Sequence, residues 1–563
     1  MKRSDATLTD KLAQLVSLSL AIMLVTIIAT QFAQAQVLYG SLVGRVEDPS
    51  GAVLPGASVT VTNKDTGQQR VTTADDSGSY AFRDLQAGVY DLKVIQSGFK
   101  SYLKAGLIVT INNVARDDVQ MEVGGTTETV TVTATSLLQT ERADVSTQID
   151  KSQVTNLPIG SGRNFQQLYK LIPGASPPAE QHSDAGNPQR ALVTNFNGVS
   201  YSNNNTRLDG ATVSYPWLPH IVAYVPPADA VETVNIVTNS FDAEQGMAGG
   251  AAVNVSIKSG TNDFHGSAHL FHTNSSLRAR NFFFLGDKLP KNILNQFGGT
   301  FGGPIKRDKL FFFGSWERTV RRQNVSPFRT LPTEALRLGD FSGTGASIYD
   351  PATGNPDGSG RTLFPNNRIP ADRIDPIALK LIQLIPAPNQ VVTGVSNNYF
   401  ASGTYEFNRD NFDFKVNYNP TAQATMFARY SFSPSKIFDP PSLGDAGGDA
   451  LAGGQPGTAP GRVQSAAVGG TYTVSPHVLI DANFGFTRQR LGAENVDIDQ
   501  NYGLDVLGIP GTNGPDRLQG GYPRFVFLGG TNFSSIGNPN VSNPFLFRDN
   551  QYVAVGNLTW IKG

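Results

Sequence analysis

The sequence predicts a mainly β, exported chain whose second half is made of antiparallel membrane-spanning strands. Three observations carry this. The N-terminus has the layout of an export signal, short strands alternate with turn residues through the first quarter, and strict two-residue alternation runs through longer segments after residue 263.

Lys2, Arg3 and Lys11 precede an apolar run over 12–29, and Ala33-Gln34-Ala35 follows it. A basic start, an apolar stretch and a small-x-small site define a secretory signal, with cleavage expected between Ala35 and Gln36. The competing reading is a membrane anchor, because the run nears the length that spans a bilayer. No later stretch could span as a helix, so a membrane-embedded mature chain must cross with strands.

Composition narrows the function classes. Lys+Arg 45 against Asp+Glu 46 gives a net charge of −1 over 563 residues, without the basic surplus that nucleic-acid binding needs. The chain has no cysteine, which excludes disulfides, thiolate metal sites and a cysteine nucleophile.

Residues 36–123 read as one β-sandwich. Strands at 42–46, 58–62, 80–82 and 89–94 are separated by turns such as Asp48-Pro49-Ser50-Gly51 and Asp75-Asp76-Ser77-Gly78, a spacing typical of sandwiches. Residues 124–139 are a Thr- and Gly-rich linker. Within it, Glu128-Thr129-Val130-Thr131-Val132-Thr133-Ala134 is short and β-prone; a last sandwich strand or a plain linker is the bland reading of it.

Residues 140–260 look mixed α/β. A short amphipathic helix is expected over 163–171, stopped by Pro173-Gly174. Asn197-Gly198 and Asp209-Gly210 are hairpin-type turns, and strands are expected at 231–237 and 249–257.

Residues 261–563 carry the alternation. Phe412, Phe414, Val416 and Tyr418 interleave with Asn411, Asp413, Lys415 and Asn417. Val478, Ile480, Ala482, Phe484 and Phe486 likewise oppose Asp481, Asn483 and Thr487. Transmembrane β-strands have this pattern, but so do strands of soluble sheets with one wet face. Connection lengths separate the two. Strands are expected near 263–272, 294–303, 309–319, 406–418, 424–433, 464–474, 478–489 and 550–561. Connections after the second, fourth and sixth are short, and the others are long, the third running over 320–405. Compact soluble domains rarely hold such loops, whereas outer-membrane barrels pair short turns at one end with long loops at the other. The third loop should contain a helix over 377–385, with Asp375 as its N-cap, Pro376 first and Pro386 as the stop.

Two resemblances follow from motifs. Gly44-x-Val46-x-Asp48, Pro55-Gly56-Ala57-x-Val59 and Gly78-x-Tyr80-x-Phe82 make 36–123 resemble the carboxypeptidase regulatory-like domain, a transthyretin-like sandwich of the carbohydrate-binding-like class. No peptidase domain follows it. The order of segments resembles TonB-dependent outer-membrane receptors of the Oar-like group. Glu128 through Ala134 looks like their TonB box. Leu157-Pro158-x-x-x-Gly162-Arg163-Asn164-Phe165, Leu208-Asp209-Gly210 and Val231-Glu232-Thr233-Val234 look like parts of their plug. Gly249-Gly250, Ser259-Gly260-Thr261-Asn262 and Phe301-Gly302-Gly303-Pro304 look like the passage into the barrel.

The resemblance implies a receptor that binds a substrate at the cell surface and imports it with energy transmitted by TonB and its inner-membrane complex. It implies outer-membrane lipid around the barrel and the sandwich in the periplasm. Related transporters take oligosaccharides, siderophores, cobalamin or peptides; the substrate and its binding residues are unknown from sequence. An outer-membrane adhesin or carbohydrate-binding protein without TonB coupling is the alternative. A pilus usher fits less well, because its plug interrupts the barrel, whereas here the plug-like segment precedes every barrel strand.

No enzyme chemistry is expected: phosphate-cradling, nucleophile-elbow and zinc-helix motifs are missing. No cofactor or metal is expected either. His265 and His269 share a strand face and His272 points the other way, as lumen-facing polar residues would. Asp497, Asp499, Asn501 and Asp505 faintly suggest a calcium loop, but the glycine is misplaced.

Eight strands close into a barrel whose interior side chains alone fill, whereas plugged transporters have about 22 strands. The chain is therefore expected to be the N-terminal part of a longer protein, with about 8 of about 22 strands, forming an open sheet with an unpaired edge.

Overall fold

The computed structural model describes residues 39–125, 129–133, 144–160, 162–215, 217–241, 245–246, 248–282, 288–475, 478–527, 532–538 and 543–560. The expected signal with its Ala35–Gln36 cleavage site lies outside them, as do Glu128 and Ala134. Strands make up 48% of the chain and helices 11%, so the class is mainly β.

The first strands are β1 (Gly40–Glu47), β2 (Ser58–Asn63), β3 (Gln69–Thr73), β4 (Ser79–Leu85), β5 (Gly88–Ile95), β6 (Ser101–Val109), β7 (Val114–Arg116), β8 (Val119–Gln120) and β9 (Thr129–Thr133). They form two sheets, β4-β1-β7 with β8 also on β1, and β3-β2-β5-β6-β9. Alternate residues from both sheets, including Leu42, Val46, Val59, Val61, Tyr80 and Leu92, share one apolar cluster; two sheets facing each other bury one face each. Gly44 explains part of the motif around it. A Cβ there would lie 1.8 Å from the Asp117 carbonyl oxygen, so only glycine lets the β7–β8 segment close against β1.

The middle of the chain contributes β10 (Val145–Asp150), the short pair β11 (Ala179–Glu180) and β12 (Leu192–Val193), then β13 (Asn205–Leu208), β14 (Ala211–Thr212), β15 (Val231–Asn239) and β16 (Ala252–Ile257). Five of them form a mixed sheet in the order β10-β15-β16-β13-β14. The helix expected over 163–171 is instead a 3₁₀ helix, Phe165–Leu171, capped by the Asn164 side chain. Pro173 and Gly174 end the segment before a longer helix can develop, and a tight 3₁₀ turn is the usual form of so short a piece.

The remaining strands are β17 (His265–Asn274), β18 (Asn292–Lys306), β19 (Leu310–Val325), the short pair β20 (Phe328–Arg329) and β21 (Tyr399–Phe400), then β22 (Gly403–Thr421), β23 (Ala424–Asp439), β24 (Gly457–Ser475), β25 (Val478–Ala493) and β26 (Phe545–Trp560). Eight of these pair in sequence order, β17-β18-β19-β22-β23-β24-β25-β26, all antiparallel. The sheet is open: β17 and β26 are its two ends and do not pair with each other. The strands run longer than the alternation alone indicated, β22 over 19 residues.

Burial on this sheet is inverted relative to a soluble protein. On β22, Asn411 is 1% and Asp413 0% exposed, while Phe414 is 55% exposed. On β23 and β25, Arg429, Ser431 and Thr487 are buried, while Met426, Ile480 and Phe484 are exposed. The polar face is covered by the middle segment and the aromatic face points outward, as hydrocarbon solvent demands. The long connections pack on one another through Leu331, Ile385, Leu443, Leu507, Tyr522 and Ile536. Their helix, Pro376–Leu384, is capped as expected: Asp375 Oδ1 accepts from the Ile377 amide at 2.7 Å.

Candidate functional site

The interface between the middle segment and the barrel wall is built around one tight turn. Asp209 and Gly210 join β13 to β14, and both have positive φ, 45° and 80°, which Asp and Gly tolerate best. The turn drives Asp209 into the wall. Lys415 Nζ donates to its Oδ1 at 2.9 Å and to the Ile257 carbonyl at 2.9 Å. Arg429 Nε lies 3.4 Å from its Oδ2, and Arg429 Nη2 donates to the Leu208 carbonyl. The Asp209 carbonyl accepts from Asn483 and the Thr212 carbonyl from Thr487. Beside this, Tyr224 of the middle segment donates to Asp413 Oδ1 at 2.8 Å, and Ser315 and Ser431 donate to the same carboxylate.

Gly162, Arg163, Asn164 and Phe165 form a second contact. Phe165 is buried in the middle core. Gln296 on β18 donates to the Gly162 carbonyl. Arg163 donates to Asp229 at 2.8 Å, and its guanidinium lies 4.0 Å over the Phe271 ring of β17. Asp229 in turn lies 3.4 Å from His269 Nδ1, whose Nε2 lies 3.3 Å from Glu317. The three histidines singled out by sequence are therefore not brought together. His269 joins Asp229 and Glu317, the one group of three such donors within reach of one another among the described residues. His272 meets Asn295, and His265 meets Asp263 and Thr261. The acidic loop at 497–505 uses its carboxylates internally: Asp497 accepts from the Tyr522 amide and Asp499 pairs with Arg517.

Two of the cavities beside this interface have ionic linings. One, of about 390 Å³, lies toward the long connections and is lined by His182, Asp184, Arg321, Tyr405, Asp439 and Gln455 among others. Tyr405 donates to Asp184 and Ser183 to Gln455. At its rim His182 and His220 stack with ring centroids 5.0 Å apart and Nε2 atoms 2.8 Å apart. Burial and the neighbouring His182 hold His220 below the usual histidine range. Sequence reasoning missed all of these residues, because nothing local marks them. The other cavity, of about 440 Å³, lies between sandwich, middle sheet and wall, lined by Tyr39, Asp65, Lys151, Glu232, Lys258 and His265 among others. Burial lowers the Lys258 ammonium below its ordinary value.

The sandwich meets the barrel at the short connections. Arg70 donates to Thr473 at 2.9 Å, near the end of β24, and the Asn262 amide donates to the Asp65 carbonyl at 2.7 Å. Of the segment 128–134, Thr129 to Thr133 are described, and they are β9. It lies parallel on β6, with Ser101 opposite Thr129 and Ala105 opposite Thr133. Thr129 and Thr131 are exposed and Val130 half-buried. The larger sheet thus takes in residues beyond the expected boundary at 123.

Comparison with known proteins agrees with this geometry. The family model described as "Outer membrane beta barrel domain" matches residues 256–563, and that described as "Carboxypeptidase regulatory-like domain" matches 41–122. The chain belongs to the outer-membrane β-barrel family and carries a regulatory-like domain ahead of the barrel strands. Within that class it is a homologue of the TonB-dependent transporter Oar of Myxococcus xanthus, with 27% identity over 333 residues, 56% of this chain and 29% of that one. The chain thus spans less than a third of that relative. Among solved structures it is similar to the outer-membrane transporter YddB of Escherichia coli (11% identity, 74% of this chain and 46% of that one, TM-score 0.45). It is also similar to the ferric enterobactin receptor PfeA of Pseudomonas aeruginosa (13% identity, 72% and 44%, TM-score 0.37). These relatives are transporters and receptors, not enzymes.

Proposed function

We propose that the chain is a TonB-dependent outer-membrane receptor, in which 140–260 is the plug, 261–563 supplies barrel wall and 36–123 sits in the periplasm. The observation that carries this is the seating of the middle segment on the polar face of the wall through Asp209, Lys415 and Arg429. A wall whose polar face is filled by a folded segment and whose aromatic face is bare fits a plugged barrel in lipid. The periplasmic placement is supported by the sandwich lying against the short connections, which outer-membrane barrels keep on that side.

In this reading 128–134 is the segment that TonB engages by adding a strand to it. Thr133 lies 12 residues before Val145, where β10 begins. β10 is an edge strand of the middle sheet, held by β15 alone, so traction on 128–134 would reach the plug at a strand that can peel. The substrate would enter from the long connections, and the ionic lining of the 390 Å³ cavity there suits a polar ligand such as a siderophore or an oligosaccharide. The adhesin alternative is favoured by one observation, the pairing of β9 with the sandwich, which needs no TonB.

Deletion of 128–134 from the full-length protein decides between them. The expected result is loss of energy-dependent uptake of labelled siderophores or oligosaccharides, with surface binding retained. Unchanged uptake would remove TonB coupling and leave the adhesin reading.

A further inference from the structure

The position of β9 bears on how a receptor of this design would be held at rest. β9 is the last strand of its sheet, held by β6 along one edge. β6 pairs with it along a parallel ladder from Ser101–Thr129 to Ala105–Thr133, and at its start Thr129 and Thr131 are exposed and Val130 is half-buried. The approach to it is guided on the sandwich side, where the Lys100 amide donates to the Glu122 carbonyl and Phe99 bridges Val123. In the sequence, β10 begins 12 residues after Thr133.

Two geometries are open to an incoming strand. It could add to the outer edge of β9, leaving β9 on β6, or it could take β9 away. In the first, a pull on β9 is shared with the β6 ladder and ends in the sandwich. In the second, it passes to β10 and the middle sheet. The exposed side chains of Thr129 and Thr131 make the second inexpensive, since an edge strand loses little beyond its ladder where its side chains face solvent.

We infer that the sandwich is a storage site for the 129–133 strand: β6 holds it at rest, and a TonB strand engages it only after it has left β6. The inference rests on the reading of 128–134 as the TonB-contacting segment. It gives the N-terminal sandwich a role, a clamp that keeps the segment extended and withheld from chance pairing while the receptor is idle.

The test uses Leu103→Cys with Thr131→Cys in the intact chain. These positions are register partners, and the chain has no other cysteine, so oxidation can lock only this pair of strands. The probes are the purified C-terminal domain of TonB and, separately, a free peptide of residues 126–136. The oxidised receptor should bind the TonB domain roughly tenfold or more weakly than the reduced one, because the competent fraction falls; the reduced form should match wild type. Hydrogen exchange provides a second measurement on the unaltered protein: amides 129–133 should be protected at rest, and the β6 amides facing them should lose protection when the TonB domain is added. Equal binding by oxidised and reduced forms would overturn the inference, leaving TonB on the outer edge of β9. Failure of the free peptide to bind the TonB domain would remove the reading of the segment itself.

Discussion

Lys415 Nζ lies 2.9 Å from Asp209 Oδ1, an ion pair that crosses from the barrel wall to the turn between β13 and β14. The side chains are 7% and 5% exposed. Such a pair adds little net stability relative to an apolar contact of the same shape, but removing one partner strands the other. Its value here is register: the turn fits the wall at one place.

Asp209→Ala leaves Lys415 and Arg429 buried without the carboxylate they share. The expected loss is about 3–5 kcal/mol, read as a lower denaturation midpoint of the folded protein in detergent. Asp209→Asn, which keeps the shape and one acceptor, should lose less. An unchanged midpoint for the alanine variant would mean that the middle segment does not pack on the wall as described.

Phe414→Arg tests which face of the sheet meets lipid. Phe414 is 55% exposed; on a water-facing surface the change would be nearly neutral, within about 0.5 kcal/mol. On a lipid-facing surface near mid-bilayer it should cost about 2–4 kcal/mol. Reversible unfolding from lipid vesicles measures the difference.

Arg163→Lys should weaken the second contact between middle segment and wall. A lysine keeps the charge toward Asp229 but loses the flat guanidinium over Phe271. The expected cost is roughly 0.5–2 kcal/mol, the range of a cation–π contact, and Phe271→Leu should lose a similar amount without adding to it in the double variant.

The His182–His220 pair should loosen on acidification. His220 is held below the ordinary histidine value of 6.5 by burial and by His182, so the folded state binds a proton there less readily than the unfolded one. The stability it contributes is fully present above pH 6.5 and is lost as pH falls through the depressed folded value. Proton NMR of the imidazole C2–H resonances should show His220 titrating below the ordinary histidine value of 6.5, moving toward it in His182→Ala. A wild-type titration at the ordinary value would contradict the pairing.

Much of the wall was legible because lipid enforces a local rule: Phe412 to Tyr418 alternate with Asn411 to Asn417 whatever lies elsewhere in the chain. The ends of the strands were less legible. β22 begins at Gly403 and β26 at Phe545, ahead of the expected 406 and 550, because strands that project past the bilayer are no longer bound to alternate. The Asp209-Gly210 turn was readable from its two residues, but its partners Lys415 and Arg429 lie more than 200 positions away, and no local pattern names them. The same holds for His269, which lies between His265 and His272 in the sequence but meets Asp229 and Glu317 in space. Thr129 to Thr133 were correctly β-prone; that β6 would hold them depends on an edge that only the folded sandwich provides.

The central claim is that 128–134 engages TonB. Thr131→Cys in the full-length receptor, expressed with TonB carrying a single cysteine in its C-terminal strand region, tests it most directly in cells. The prediction is a receptor–TonB disulfide that forms at residue 131 and not at Thr73→Cys, an equally exposed strand position on the same sheet. No cross-link at 131, or an equal one at 73, would contradict the account.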